Sequence, residues 1–202
     1  MLLAAFFMLL AYLLGSLSSA IIVCKLAGLP DPRTQGSGNP GASNVLRIGG
    51  GKYLVAIVLF GDIAKGWIPV IGAKFLGLSL PFLAWIAFFA FIGHLFPIFF
   101  GFRGGKGVAT ALGGLFALAW PVGLVGLASW FFVLLLFRYI SLASIIAAAL
   151  TLLYVLYSYA YSVSLPLSLM SILIIVRHSS NIRRLLRGEE PKLNKSELNQ
   201  KK

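Results

Sequence analysis

Long apolar runs separated by short polar segments set the pattern of this chain. They cover Leu2 to Val23, Tyr53 to Ala73, Pro81 to Phe100, Gly107 to Phe137, Ile140 to Tyr157 and Val163 to Val176. A helix of about 20 apolar residues, within a range of roughly 17–25, crosses the hydrocarbon core of a bilayer. The run from Gly107 to Phe137 has 31 residues, more than one span needs, and Trp120-Pro121 near its middle reads as a turn at an interface. The pattern predicts an all-α integral membrane protein with about seven transmembrane helices.

Composition removes the soluble alternative. Hydrophobic residues make up 59% of the 202 residues and charged residues only 11%, where a water-facing domain carries about 25%. From Gly107 to Val176 the only charged residue is Arg138. Lys25, Arg33, Arg47 and Lys52 share one polar segment, Arg103 and Lys106 another, and a third run of cations begins at Arg177. Placing all of these and Arg138 on the cytoplasmic side, where Lys and Arg accumulate, requires two passages between Lys106 and Arg138. Seven spans follow, with the N-terminus outside and the C-terminus cytoplasmic. Four of them share 69 uncharged residues, close to the lower limit for a span, so five spans with a re-entrant hairpin is the alternative. Residues 1–187 read as a single polytopic membrane domain and residues 188–202 as a basic polar tail, solvated or lipid-facing from Arg183 onward. No cation precedes the first apolar run, as a cleaved signal would require, so that run is expected to stay as a helix.

The net charge of +12 fits this cytoplasmic bias and calls for no nucleic-acid partner. One cysteine, Cys24, and two histidines offer neither a disulfide framework nor a Cys/His metal cage; no metal and no cofactor are expected.

Three polar segments on the expected cytoplasmic face have an unusual composition. The first is Ser37-Gly38-Asn39-Pro40-Gly41-Ala42-Ser43-Asn44, with Arg47 a helical turn later; the second runs from Gly93-His94 through Pro97 to Gly104-Gly105-Lys106-Gly107; the third is Arg177 to Leu185. Glycines let backbone N–H groups converge, and such donors at a helix start, beside a cation, bind anions. Gly104 to Gly107 opens the next apolar helix, which suits a phosphate, but it is not a Walker loop. Phe100 occupies the first glycine position and Gly107 the magnesium-holding Ser/Thr position. Two such loops suggest two anionic groups.

Asp31, at the edge of the first loop, is the only carboxylate near these segments, which excludes a paired-carboxylate hydrolase or a multi-aspartate magnesium site. His94 and His178 remain as possible bases. His94 reads equally well as a structural hydrogen bonder; His178 has Asn181 at i+3, so both could face one site. Asp62 and Lys65, spaced i,i+3 inside a span, read first as a salt bridge and second as an ion pathway.

Together S-G-N-P-G-A-S-N, G-H-x-F-P-x-F-x-G-F-x-G-G-K-G and the terminal H-S-S-N-I-x-R-L resemble the bacterial acyl-phosphate:glycerol-3-phosphate acyltransferases, as does Arg138-Tyr139-Ile140-Ser141-Leu142-Ala143-Ser144. The resemblance implies acyl transfer from a fatty acyl phosphate to the 1-hydroxyl of sn-glycerol 3-phosphate. The products are lysophosphatidic acid and phosphate, in the first acylation step of phospholipid synthesis. It implies a multi-pass protein of the bacterial cytoplasmic membrane, its site facing the cytoplasm and membrane lipid around it. Lys106, His178 and Asn181 are the expected catalytic residues. Ser37, Gly38, Asn39, Gly41, Ser43, Asn44, Arg47, Gly104, Gly105, Gly107, Ser141 and Ser144 are the expected substrate- and phosphate-binding residues. The resemblance favours a substrate phosphate as proton acceptor, since no Ser/His/Asp arrangement is available. A small transporter for an organic phosphate is the competing reading, weakened by the absence of an internal repeat.

Overall fold

In the computed structural model, residues 1–193 are described, and among them the chain is helical with no strand. The helices are α1 (Leu2–Gly15), α2 (Ser19–Leu26), α3 (Ala42–Arg47), α4 (Gly51–Phe75), α5 (Leu80–Leu95), α6 (Val108–Leu118), α7 (Trp120–Phe137), α8 (Ile140–Ser158), α9 (Tyr161–Arg177) and α10 (Ser179–Leu186). A 3-10 turn covers Ile98–Phe100.

Among the described residues, five stretches are long and apolar enough to cross a membrane: Leu2–Leu26, Gly51–Phe75, Leu80–Phe100, Trp120–Phe137 and Ile140–Ser158. The pair α9 and α10, bent by 51° at His178, passes the same test as a unit. The α6 helix is apolar but has only 11 residues, too few to cross a full hydrocarbon core alone. The first apolar run is not one continuous helix. It breaks at Ser16–Ser18, where the Ser16 hydroxyl donates to the Tyr12 carbonyl at 2.8 Å and Ser18 caps α2 by accepting from the Ile21 amide. Such hydroxyls offer the backbone local alternatives to the helical ladder. The long run divides as its Trp-Pro step predicts: Ala119 is extended between α6 and α7, with Pro121 in the first turn of α7.

The bundle packs α4 on α6 and α1, α1 on α5, α5 on α6 and α9, and α7 on α8, which packs in turn on α9. Small residues allow the closest crossings. A Cβ at Gly66 of α4 would sit 2.0 Å from the Thr110 carbonyl oxygen, and one at Gly113 of α6 would sit 2.1 Å from that of Ile63. Close backbone approach of this kind drives association where lipid removes the hydrophobic force between helices. The main core joins Phe7, Val70, Ile86, Phe91, Leu118, Val155 and Leu167, among others. Outward-facing Tyr53, Phe60, Phe132 and Leu135 are exposed, the arrangement of a bundle whose solvent is lipid. The tight α4–α6–α5 packing brings the loops before α6 and around α3 to one end of the bundle, against the bend between α9 and α10.

Candidate active site

A cavity of about 440 Å³ opens at that end. Its polar rim includes Ser37, Asn39, Gly41, Ser43, Arg47, Lys106, Gly107, Ser141, Ser144, His178 and Asn181, so the three polar segments, far apart in sequence, meet in one space. The rest of the lining is mainly apolar, with Leu59, Leu112, Leu115, Leu127, Met170 and Leu167 among it. A polar, cationic mouth above an apolar groove suits an amphiphile with an anionic head.

The mouth is built from helix starts as well as side chains. Gly107, with φ +80°, is the N-cap of α6; a Cβ there would also lie 2.4 Å from the Phe91 ring, so the turn requires glycine. Gly107, Val108 and Ala109 line the cavity, as do Ile140 and Ser141 in the first turn of α8. The free amide groups and positive dipole ends of those turns favour an anion.

Lys106 is joined to the third segment by a chain of hydrogen bonds. Its Nζ donates to Asn181 Oδ1, Asn181 Nδ2 donates to Glu190 Oε1 at 2.7 Å, and Arg184 Nε donates to Glu190 Oε2 at 2.7 Å. Because an ammonium only donates and a carboxylate only accepts, these partners fix which way the Asn181 amide faces and leave one of its N–H groups uncommitted. Burial holds the Lys106 ammonium down to about 8. Glu190 opposes this shift, while Arg184, Arg47 and Arg177 add to it. For Glu190, burial alone would raise the carboxyl; the Ser141 hydroxyl first, then Asn181 and Arg184, outweigh it and hold the carboxyl low.

His178, 3% exposed, sits at the bend and directs Nδ1 at the Ile174 carbonyl, 2.8 Å away. A carbonyl only accepts, so Nδ1 carries the hydrogen and Nε2 keeps its lone pair. Burial first, then the charge of Lys106, push the imidazole down to about 4, against the Ile174 hydrogen bond and Glu190. At neutral pH this histidine is an uncharged hydrogen-bond acceptor.

Several expected site residues serve the loops instead. Asn44, 1% exposed, donates to the carbonyls of Pro32 and Gln35 at 2.7 and 3.0 Å and accepts from the Ser37 amide at 2.8 Å. With those bonds made, it does not line the cavity; it shapes the first loop. Gly38, also off the cavity, adopts φ +69° and bonds Gln35. Gly105 donates its amide to the His94 carbonyl at 3.1 Å, and Arg177 Nη2 donates to the carbonyls of Gly104 and Gly105 at 3.0 Å each. Gly104 and Gly105 therefore present no free carbonyl or amide of that set to the cavity; they are the clamp behind Lys106. Ser144 lines the cavity, but its hydroxyl donates to Ile140 and accepts from Trp130 Nε1, whereas the buried Ser141 hydroxyl lies beside the Glu190 carboxylate.

One correction concerns the tail. Glu190, expected among solvated residues, is 7% exposed, and Glu190 to Leu193 close one side of the cavity. The turn through Gly188, φ +70°, and the bond from the Leu193 amide to the Arg138 carbonyl at 2.8 Å return the chain to the bundle. Residues 194–202 of the expected tail lie outside the described residues. No spacing pattern marks Glu190, nine residues beyond Asn181; the available signal was a carboxylate in a chain with only 5 acidic residues. Among the described residues, no three His, Cys, Asp or Glu side chains gather as a metal site would need.

Comparison with known proteins agrees with this geometry. The glycerol-3-phosphate acyltransferase family model matches residues 5–188. This chain belongs to that family. A glycerol-3-phosphate acyltransferase of Thioalkalivibrio sulfidiphilus is 54% identical over 98% of this chain and 100% of its own length. One from Methylococcus capsulatus is 52% identical over 93% and 95%. The crystal structure of PlsY, an integral membrane glycerol 3-phosphate acyltransferase, in its glycerol 3-phosphate form superposes with a TM-score of 0.89 at 41% identity, covering 98% of this chain and 99% of that one. The lysophosphatidic acid form of PlsY gives 0.86 at 40% identity, covering 96% and 97%. The family assignment favours the acyltransferase reading of the three segments over the transporter reading.

Proposed function

We propose that the chain acylates the 1-hydroxyl of sn-glycerol 3-phosphate with a fatty acyl phosphate, releasing lysophosphatidic acid and phosphate. The observation that carries this is a cavity in which a cationic, amide-rich mouth meets a mainly apolar groove, in a chain of the glycerol-3-phosphate acyltransferase family. Both substrates bear phosphate and one bears a long acyl chain, so the mouth and groove answer to both.

The hydroxyl oxygen attacks the acyl carbon, the bond from that carbon to the phosphate oxygen breaks, and phosphate leaves. Lys106 and Arg47, with Ser37 and the first turns of α6 and α8, hold the phosphate groups. The uncommitted N–H of Asn181 serves the developing oxyanion, a role worth about 2.7–4 kcal/mol for one donor. His178 accepts a hydrogen bond from the attacking hydroxyl at Nε2 and orients it. A group that protonates only at about 4 is a weak proton acceptor at neutral pH, so the proton passes to a phosphate oxygen of the substrate. An acyl phosphate is a mixed anhydride with a good leaving group, which makes a strong protein base unnecessary.

The alternation of Lys and Arg supports seven passages, counting α1 with α2 as the first and the short α6 as the fourth. The N-terminus is then outside and the cavity mouth faces the cytoplasm, where glycerol 3-phosphate resides. Cysteines placed singly on a Cys24→Ser background at Gln35 and Ser79 test this: Ser79→Cys is expected to label from outside and Gln35→Cys from inside, and the reverse would invert the topology. For the reaction, purified protein is given palmitoyl phosphate and labelled glycerol 3-phosphate. Labelled lysophosphatidic acid and phosphate should appear in equal amounts. Comparable turnover with acyl-CoA at equal concentration would overturn the acyl-phosphate donor.

A further inference from the structure

A second charged cluster lies under the active site and takes no part in the mechanism above. Asp62 and Lys65 of α4 are 2.8 Å apart, with side chains 5% and 6% exposed. Lys65 Nζ also donates at 2.8 Å to the Leu17 carbonyl, in the break between α1 and α2. On its other side, Asp62 faces His94 Nδ1 of α5 at 3.7 Å, and the same ring nitrogen is 3.3 Å from Thr110 Oγ1 of α6. Asp62 and His94 both reach the wall of the cavity.

His94 connects this cluster to the glycine-rich loop at two points. Its carbonyl accepts the Gly105 amide. Its ring lies directly beneath the same residue, so that a Cβ at Gly105 would stand 2.2 Å from His94 Nε2 and 3.1 Å from the Pro40 carbonyl of the first loop. The imidazole is thus the floor on which the two loops meet, one residue from Lys106. A charge pair that served only to join α4 to α1 and α2 would need no imidazole. One that served ion passage would need a continuous polar path, and the cavity lining beyond its polar rim is mainly apolar.

We propose that Asp62 and His94 are positioning residues for the acyl transfer: the Asp62 carboxylate, anchored by Lys65, and the Thr110 hydroxyl together orient the His94 ring, and the ring sets the height of the Gly104–Gly107 turn and hence the position of Lys106. This rests on the reading of Lys106 as a phosphate-holding cation. Displacing such a group by an ångström lowers the rate by up to about 10²-fold without unfolding the bundle.

The test compares Asp62→Asn, Lys65→Met and the double variant, each purified and assayed with palmitoyl phosphate and glycerol 3-phosphate. Each single change leaves a buried partner without its counter-charge, so both should lower Tm; the double removes both charges and should regain it. The double should nonetheless keep a KM raised about tenfold for at least one phosphate substrate, because His94 has lost its carboxylate. His94→Ala should raise KM in the same way, with a lower Tm from the cavity it leaves, and His94→Gln should restore part of both losses. A double variant that regains both Tm and wild-type KM, or a His94→Ala enzyme with wild-type KM, would overturn the proposal. Lys106→Met is assayed alongside; wild-type kcat/KM there would overturn the Lys106 reading first and this proposal with it.

Discussion

The Asp62–Lys65 pair and the chain of contacts around Lys106 are built by different rules. The Asp62–Lys65 pair is local: both groups sit on one helix three residues apart, and the helix carries them together into the bundle. The Lys106–Asn181–Glu190–Arg184 chain is assembled from a loop, the last helix and the segment beyond it. The first is closed, with its charges neutralised among themselves. The second is arranged around a cavity, and the Asn181 amide separates the Lys106 ammonium from the Glu190–Arg184 ion pair. A closed pair braces the frame and, through His94, the loop above it, while an open chain keeps one cation ready for an anion from outside.

If that contrast is correct, breaking the closed pair damages folding most. Lys65→Met leaves Asp62 uncompensated and should cost about 3–5 kcal/mol of stability, read as a lower Tm in detergent. Breaking the open chain at its catalytic end should instead spare Tm and remove activity. Lys106→Met should lower kcat/KM by about 10²–10³, and Lys106→Arg should rescue it only partly, since a planar fork replaces a point charge. Glu190→Gln should fall between the two, losing about 1–3 kcal/mol through the weakened bonds to Asn181 and Arg184 and lowering both Tm and kcat. In the apolar groove the effect is smallest. A Cβ at Gly126 would approach Thr151 Oγ1 at 3.3 Å, so Gly126→Ala should shift preference toward shorter acyl phosphates, about fourfold for each methylene excluded. Chain-length profiles measure this.

The same contrast explains what the sequence revealed. The Asp62–Lys65 ion pair was legible because i,i+3 spacing on a helix is a property of sequence alone. His178 and Asn181 were legible together for the same reason, and the apolar runs disclosed the spans by their length. Glu190 was not legible: its place depends on Gly188 turning the chain back and on Leu193 meeting Arg138, a tertiary event with no periodic signature. Nor does spacing separate Asn44, spent on its own loop, from Asn39, which faces the cavity. Both belong to one motif, and only the folded loop distributes its side chains between building and binding. The break at Ser16–Ser18 was hidden within an apolar run because two hydroxyls change the backbone without changing hydropathy appreciably.

The proton's destination is the centre of the mechanism, and the pH dependence of kcat/KM for wild type and His178→Gln tests it most directly. Wild type should lose activity as pH rises past about 8, where the free enzyme's Lys106 gives up its charge. No histidine limb should appear near the ordinary value of about 6.5, because His178 is already uncharged there. His178→Gln, which keeps hydrogen-bonding capacity, should retain measurable activity with a profile of the same shape. A limb near 6.5 present in wild type and absent from His178→Gln, with a rate lower by about 10²–10⁴, would contradict the account and make His178 the base.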